Sequence, residues 1–266
     1  MRPSRRRTAL ALLLGALALA AVARAQLPSG VSRPDNERGL SRQQLGAQLY
    51  AGNCASCHGI DGRGIAQPGP SRGAGDVKGQ GPPLVGVGAQ AADLYLSTGF
   101  MPLDNPHQQP WRQRVLFTPN EIAALTRYVA SLGPGPPVPH PNPAAGKVSE
   151  GFHLFTEHCA GCHQAVAEGG YVTDARVPLI KKDTLAQIAE AVRVGPYLMP
   201  KFSRRHISDR QLNSIIAYIE ASRQPNDRGG WGIGHIGPVP EGMVTWFIAA
   251  VALVGLCVLI GERRRA

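Results

Sequence analysis

The chain has 266 residues and a formal net charge of +10, from 28 lysines and arginines against 18 aspartates and glutamates. Much of this excess lies at the two ends, with five arginines in residues 1–25 and three arginines less one glutamate in residues 261–266. The region between them has a surplus of only about three charges. We therefore expect no nucleic-acid partner.

The first 25 residues have the pattern of an export signal. A cluster of arginines precedes an apolar run over residues 9–22 and a small-residue segment that ends at Ala25. We predict a signal peptide over residues 1–25, cleaved before Gln26. The alternative is an uncleaved N-terminal anchor, for which the apolar run is somewhat short.

Residues 40–132 form the first of two predicted domains. A helix is expected from about Arg42, and it ends at a Cys-x-x-Cys-His motif made by Cys54, Cys57 and His58. At this spacing two thiols add across the vinyl groups of a haem, and the histidine then lies under the iron as its proximal ligand. A zinc knuckle or a redox disulfide is the alternative for Cys-x-x-Cys, but the trailing histidine favours haem attachment.

The last helix of the first domain has a strong start signal. Thr118, Pro119 and Glu121 form a capping box with proline at the first helical position, and apolar residues follow at helical spacing. Between the motif and this helix, residues 59–88 contain ten glycines and four prolines, which predicts a loop without regular structure. We interpret this loop as one that wraps the haem or faces a partner.

A proline-rich linker over residues 133–145 follows the first domain. Six of the eleven residues from Gly133 to Pro143 are proline, which is typical of a stiff spacer. Such a linker should limit how the flanking domains reorient.

Residues 146–224 form the second predicted domain, which repeats the first. Its motif consists of Cys159, Cys162 and His163, and its last helix follows Ser208. Three residues before the first motif match three before the second at a constant offset of 105: Gly46, Leu49 and Tyr50 correspond to Gly151, Leu154 and Phe155. The chain therefore contains two copies of one unit and should bind two covalently attached haem c groups.

Two methionines stand where the sixth iron ligands are expected. Met101 lies 43 residues after His58 and Met199 lies 36 after His163, and each is followed by proline and precedes the last helix of its domain. A thioether ligand raises the potential and closes the iron to substrates; the alternative for each methionine is a core residue that fills a gap. Two rival ligands lack a counterpart in the other domain: His107 and His206.

Both domains resemble class I cytochrome c domains. In these domains the Cys-x-x-Cys-His motif, a proline-leucine pair, a methionine and a closing helix follow one another in this order. The resemblance implies that the backbone carbonyls of Pro83 and Pro178 orient the proximal histidines. The predicted fold is all-α: two tandem class I cytochrome c domains plus a C-terminal transmembrane helix.

The C-terminal end predicts a membrane anchor. A glycine-rich juxtamembrane segment over residues 225–242 leads into an uncharged stretch over residues 243–260. At about 1.5 Å per residue this stretch nearly crosses a ~30 Å hydrocarbon layer, although a buried soluble helix is the alternative. The arginines of residues 261–266 favour a cytoplasmic tail, so both haem domains should lie outside the cell membrane. The chain would be single-pass, or two-pass with an uncleaved N-terminal segment.

Two cytochrome c domains, the C-terminal anchor and the glycine-rich segment around Trp231 together resemble the dihaem cytochrome c subunits of actinobacterial menaquinol-cytochrome c reductases, the cytochrome bc complexes. The resemblance implies partners: a cytochrome b subunit, a Rieske iron-sulfur protein as electron donor, and an aa-type terminal oxidase as acceptor. It also implies an electron-transfer subunit of a translocating enzyme that does no substrate chemistry by itself.

Two other functions share this haem chemistry. The chain could be the electron-transfer subunit of a membrane alcohol or sugar dehydrogenase, or of another oxidase. A dihaem peroxidase fits less well, because it needs one open or displaceable iron position, whereas both domains have a methionine-proline pair.

Overall fold

The computed structural model describes residues 30–65, 81–103, 111–173, 175–223 and 238–263. The predicted signal segment, the middle of the glycine-rich loop, His107 and most of the juxtamembrane segment lie outside the described residues. Helices dominate the part that is described, and a short hairpin in the second domain is the exception.

The first domain begins and ends with the two helices that the sequence predicts. Helix α1 starts with a capping box of Ser41 and Gln44, and the last helix starts with the capping box of Thr118 and Glu121. The described helices of this domain are α1 (Arg42–Asn53), α2 (Ala55–His58), α3 (Gly88–Ser97) and α4 (Pro119–Ser131).

Helices α1 and α4 cross at a glycine. A Cβ at Gly46 would collide with the backbone carbonyl of Ala124 and lie 2.8 Å from the Cβ of Tyr128. Next to this crossing, the rings of Tyr50 and Tyr128 lie 5.0 Å apart. The Tyr50 hydroxyl donates to the Gly59 carbonyl at 2.7 Å, just past the haem motif. The first and last helices thus pack closely and support the motif between them.

The second domain repeats this arrangement and adds a β-hairpin. Its elements are a 3₁₀ turn (Pro143–Ala145), α5 (Val148–His158), α6 (Ala160–His163), β1 (Gly170–Val172), β2 (Ala175–Val177), α7 (Leu185–Val194) and α8 (Asp209–Arg223). Strands β1 and β2 are antiparallel, with Gly170 opposite Val177. At the crossing of α5 and α8, a Cβ at Gly151 would collide with the Ser214 carbonyl.

The linker is bound at both of its ends. The Pro136 carbonyl accepts a hydrogen bond of 3.1 Å from the backbone N–H of Gln90 in α3. The backbone N–H of Asn142 donates to the side-chain oxygen of Asn213 in α8 at 2.9 Å. These contacts attach the linker to both domains rather than leaving it as a free spacer.

Helices α3 and α7 bring the two domains into contact. The Gln187 side chain of α7 donates to the hydroxyl of Ser97 in α3 at 3.0 Å. Arg112, which precedes α4, forms an ion pair with Asp183, which precedes α7. The two domains therefore share an interface with polar contacts.

The C-terminal helix α9 (Pro238–Arg263) belongs to a second unit, which covers residues 220–266. Its segment Gly242–Arg263 is long and apolar enough to cross a membrane, and the described side chains from Met243 onward are exposed. It includes the predicted span over residues 243–260. The sequence-based fold class is confirmed, and the exposed apolar helix is consistent with a membrane anchor.

Candidate haem sites

Each haem motif occupies the turn that directly follows the first helix of its domain. Cys54 ends α1 by donating its N–H to the Tyr50 carbonyl at 2.8 Å, and Cys159 ends α5 in the same way on Phe155. The His58 N–H then donates to the Cys54 carbonyl at 2.9 Å, which closes one helical turn. Residues at spacings of three and four share a helix face, so both cysteines and the histidine of a motif lie on one side.

In the second domain the predicted ligands surround one cavity. Cys159, Cys162, His163 and Met199 all line it, and its space is about 1140 Å³ when its opening to solvent is included. Most other wall residues are apolar, including Phe155, Ile188, Val192, Phe202, Ile215 and Ile219. Cofactor sites typically have such apolar walls with a small number of polar groups. The cavity therefore fits a haem held by two thioethers, a histidine and a methionine.

Proline carbonyls face both histidine rings. The Nδ1 atom of His163 lies 3.4 Å from the Pro178 carbonyl, the contact that the sequence resemblance implied. In the first domain Nδ1 of His58 lies 2.8 Å from the carbonyl of Pro82. The prediction for Pro83 is wrong by one residue. Proline fixes the backbone of this pair, so the two successive carbonyls point in different directions and only one faces the ring.

This contact determines which ring nitrogen is available to iron. When Nδ1 carries the proton and donates it to the proline carbonyl, Nε2 has its lone pair free for a metal. Burial lowers the pKa of His163, and the nearby positive charge of Arg112 acts in the same direction. Both effects favour the neutral imidazole, the form that binds iron.

Gly81 lies close to the first histidine, a role that was not predicted from the sequence. A Cβ at this position would lie 2.5 Å from Nδ1 of His58. The Gly81 N–H also donates to the Cys57 carbonyl at 2.6 Å. A glycine directly before a proline pair is the only sequence signal for this role, and it is masked by the many glycines of the surrounding loop.

The first cysteine of each motif faces the interior. Burial is the main cause that raises the pKa of the Cys54 and Cys159 thiols to about 12. Both residues also pack against the apolar core of their domain. Both thiols therefore lie on the core side of their motifs.

Met101 and Met199 are both half-buried. Met199 packs against the core of the second domain, and Met101 packs against that of the first, where Cys54 also lies. Residues 66–80 and 104–110 of the first domain lie outside the described residues. The rival ligand His206 is exposed, and its Nδ1 lies 3.3 Å from the Ser203 hydroxyl. It does not line the cavity of the second domain.

Comparison with family models agrees with the two-domain organisation. Residues 43–133 match the cytochrome c family, and residues 146–219 match the family of subunit III of cbb3-type cytochrome c oxidase. Both matches are cytochrome c-type domains, which indicates covalently bound haem c.

Comparison with characterised proteins extends over most of the chain. It is 34% identical over 230 residues to the "Cytochrome bc1 complex cytochrome c subunit" of Mycobacterium tuberculosis, covering 83% of this chain and 78% of the relative. Identity to the protein of the same description from Corynebacterium diphtheriae is 31% over 238 residues, covering 83% and 80%. A "Cbb3-type cytochrome c oxidase subunit CcoP" of Azospirillum is 28% identical over 65% of this chain and 60% of that protein.

Proposed function

The chain belongs to the family of cytochrome c subunits of cytochrome bc1 complexes, and we propose that it relays electrons from a Rieske iron-sulfur protein to an aa-type terminal oxidase. In this proposal cytochrome b and the Rieske protein oxidise menaquinol, and this chain replaces a diffusing cytochrome c. The observation that carries the proposal is the pairing of two Cys-x-x-Cys-His motifs with an apolar C-terminal helix in one chain.

In this proposal each domain binds one haem c group. We assign attachment to Cys54 and Cys57 in the first domain, and iron ligation to His58 and Met101. In the second domain we assign attachment to Cys159 and Cys162, and iron ligation to His163 and Met199. Haem c supplies one-electron redox chemistry, and the methionine ligands raise its potential and close the iron to substrates.

The packed interface supports a relay function. Contacts between α3 and α7 and at both ends of the linker hold the two motifs in one compact unit. A tethered donor and acceptor meet at a high effective concentration, whereas a diffusing carrier depends on encounter. Two sites in a single compact chain therefore suit transfer between two larger partners.

The proposed topology places both haem domains outside the cytoplasm. Helix α9 spans the membrane, and the arginines at its end stay in the cytoplasm by the positive-inside rule. Attachment through α9 keeps the two sites beside the membrane complexes that exchange electrons with them.

A second candidate is a subunit of another oxidase. The match of residues 146–219 to a cbb3-type oxidase subunit favours it, but that match covers only the second domain. The subunit of a membrane dehydrogenase is a third possibility with the same haem chemistry.

Affinity purification of the tagged chain from its native membrane in mild detergent tests the proposal. Haem staining, mass spectrometry and menaquinol-dependent oxygen consumption are measured on the same sample. Recovery of cytochrome b, a Rieske protein and aa-type oxidase subunits with this activity is expected. Recovery of a dehydrogenase, or of cbb3-type oxidase subunits alone, would replace the proposal with one of the other candidates.

A variant separates assembly from electron relay. Cys159→Ser/Cys162→Ser removes the second attachment site and leaves α9 intact. We expect this variant to purify with the same partners but without menaquinol-dependent oxygen consumption. Full activity in a sample that stains for a single haem would contradict a relay through both sites.

A further inference from the structure

The cavity of the second domain has a wall that belongs to the first domain. Leu94, Phe100 and Arg112 line it together with the second domain's own residues. Leu94 and Phe100 are buried apolar residues, whereas Arg112 brings a positive charge. The second haem site is therefore incomplete without the first domain.

Arg112 is held by a fork-shaped ion pair. Both of its terminal nitrogens donate to the Asp183 carboxylate, one of them at 2.6 Å, in the two-bonded geometry that is strong and directional. Asp183 is only 6% exposed. The pair joins residues 71 positions apart and locks the segment before α4 to the segment before α7.

Arg112 has five N–H donors, and the ion pair uses two of them. Its Nε–H is buried and, among the described residues, has no hydrogen-bond partner. Leaving such a donor unsatisfied is costly, and more so when the group is charged. Each terminal nitrogen of Arg112 also has a second N–H, and the side chain is 24% exposed and lines the cavity, where it can meet a bound acceptor.

We propose that Arg112 of the first domain binds a propionate carboxylate of the haem in the second domain. This inference rests on the proposed assignment of a haem to Cys159, Cys162 and His163. Haem has an apolar macrocycle with two propionates, and the cavity combines apolar walls with the guanidinium of Arg112. Arg112 is then a positioning residue that couples the arrangement of the domains to the second haem.

The ion pair also sets the charge beside the second haem. Oxidation of the iron adds one positive charge, so a nearby cation favours the reduced state and a nearby anion favours the oxidised state. Removing Arg112 takes away a positive charge beside the haem and should lower the potential. Removing the charge of Asp183 should raise it.

Redox titration of the purified full chain tests the proposal with Arg112→Gln, Arg112→Lys and Asp183→Asn. Comparison with Met199→Ala assigns the second haem's signal. At a fixed solution potential we expect Arg112→Gln to raise the oxidised-to-reduced ratio of the second haem about tenfold, equivalent to 59 mV for one electron. Asp183→Asn should shift the ratio the opposite way, and Arg112→Lys should restore part of the Arg112→Gln change.

Two other arginines provide controls. Arg114 lies on the same segment with an exposed side chain, so Arg114→Gln removes an equal charge and should leave the second haem's potential unchanged. Arg176 lines the cavity from the second domain, but it is exposed. A shift in Arg176→Gln with none in Arg112→Gln would overturn the proposal. Resonance Raman bands of propionate bending should change for one haem in Arg112→Gln, and unchanged bands would also overturn it.

Haem content separates the two levels of the inference. If the wild-type chain holds a single haem and none at Cys159 and Cys162, the proposed haem assignment fails. If it holds two haems and Arg112→Gln retains both at unchanged potentials, only the role of Arg112 fails. If Arg112→Gln does not fold, Arg112→Lys and Asp183→Asn still decide through their predicted shifts.

Discussion

Backbone groups lie against the rings of the two histidines predicted to bind iron. His58 has the Pro82 carbonyl and Gly81 beside Nδ1, and His163 faces the Pro178 carbonyl. The motif spacing predicts which histidines bind iron. It does not predict which carbonyl orients each ring, because that depends on the path of a distant loop.

The assignment of Met199 gives the first prediction. Met199→Ala removes the thioether that stabilises reduced iron, so the potential of one haem should fall and its iron should bind carbon monoxide. Redox titration and carbon monoxide difference spectra measure both effects. Met243→Ala changes an exposed residue of α9 and serves as the control. Spectra and potentials equal to wild type in Met199→Ala would reject this ligand.

Gly81 gives a second prediction in the first domain. In Gly81→Ala the added Cβ would lie 2.5 Å from Nδ1 of His58, so the ring or the Pro82 carbonyl has to move. We expect a shifted potential for the first haem, and overpacking of this kind typically costs about 1–3 kcal/mol of stability. Gly39→Ala, with nothing within 4 Å of the added Cβ, should change neither. An unperturbed first haem in Gly81→Ala would show that the loop accommodates the methyl group.

Among the elements, the first and last helices of each domain form one repeated crossing. Gly46 meets the carbonyl of Ala124, and Gly151 meets that of Ser214. On both crossings an aromatic residue of the first helix packs against a tyrosine of the last, Tyr128 or Tyr218. The glycine allows the close approach, and the aromatic pair fills the space beside it.

This crossing predicts the effect of Gly151→Ala. Within an isolated helix, alanine is favoured over glycine by about 1 kcal/mol. Here the added Cβ would collide with the Ser214 carbonyl and lie 2.9 Å from the Tyr218 Cβ, so the clash should dominate. We expect a net loss of about 1–3 kcal/mol, measured by denaturation of the haem-loaded chain. Gly39→Ala adds a Cβ into open space outside the haem motifs and is the control; equal stability of both variants would exclude a tight crossing.

The sequence predicts these outer helices because their signals are local. Thr118 and Glu121 mark the start of α4, and the cysteine motif ends α1. Helix α3 begins at Gly88 without a side-chain cap, and the glycine-rich sequence before it does not predict a helix. The hairpin is only a few residues long. The pairing of Arg112 with Asp183 depends on how the two domains pack against each other. No periodic pattern in the sequence therefore predicts it.

At the scale of the whole molecule, the domain interface contains a buried carboxyl pair. Glu190 of α7 is fully buried, and its carboxyl group lies within hydrogen-bonding reach of that of Asp93 in α3. Burial, together with the nearby carboxylate of Asp93 in α3, raises the pKa of Glu190 to about 8. Burial also raises the pKa of Asp93. The contact between α3 and α7 is therefore best formed with Glu190 protonated.

The pH dependence of stability follows from this shift. The ordinary pKa of glutamate is near 4.5, so between about pH 4.5 and pH 8 the folded chain keeps a proton that the unfolded chain releases. The stability that the neutral form contributes is thus fully present below pH 4.5 and is lost as the pH rises through 8. Each unit of difference between the folded and unfolded pKa changes the free energy of unfolding by about 1.4 kcal/mol. Glu190→Gln keeps a neutral side chain at every pH and should remove this loss.

Thermal unfolding of the haem-loaded chain at pH 6 and pH 8.5 measures the effect. The melting temperature of the wild type should decrease from pH 6 to pH 8.5. The melting temperature of Glu190→Gln should decrease less and should be higher than that of the wild type at pH 8.5. Hydrogen exchange of α3 and α7 should increase at pH 8.5 in wild type alone, because ionised Glu190 and Asp93 repel each other across the interface. Asp35→Asn removes an exposed carboxylate and should keep the wild-type pH dependence. The same pH dependence in Glu190→Gln would mean that other groups control the contact between the domains.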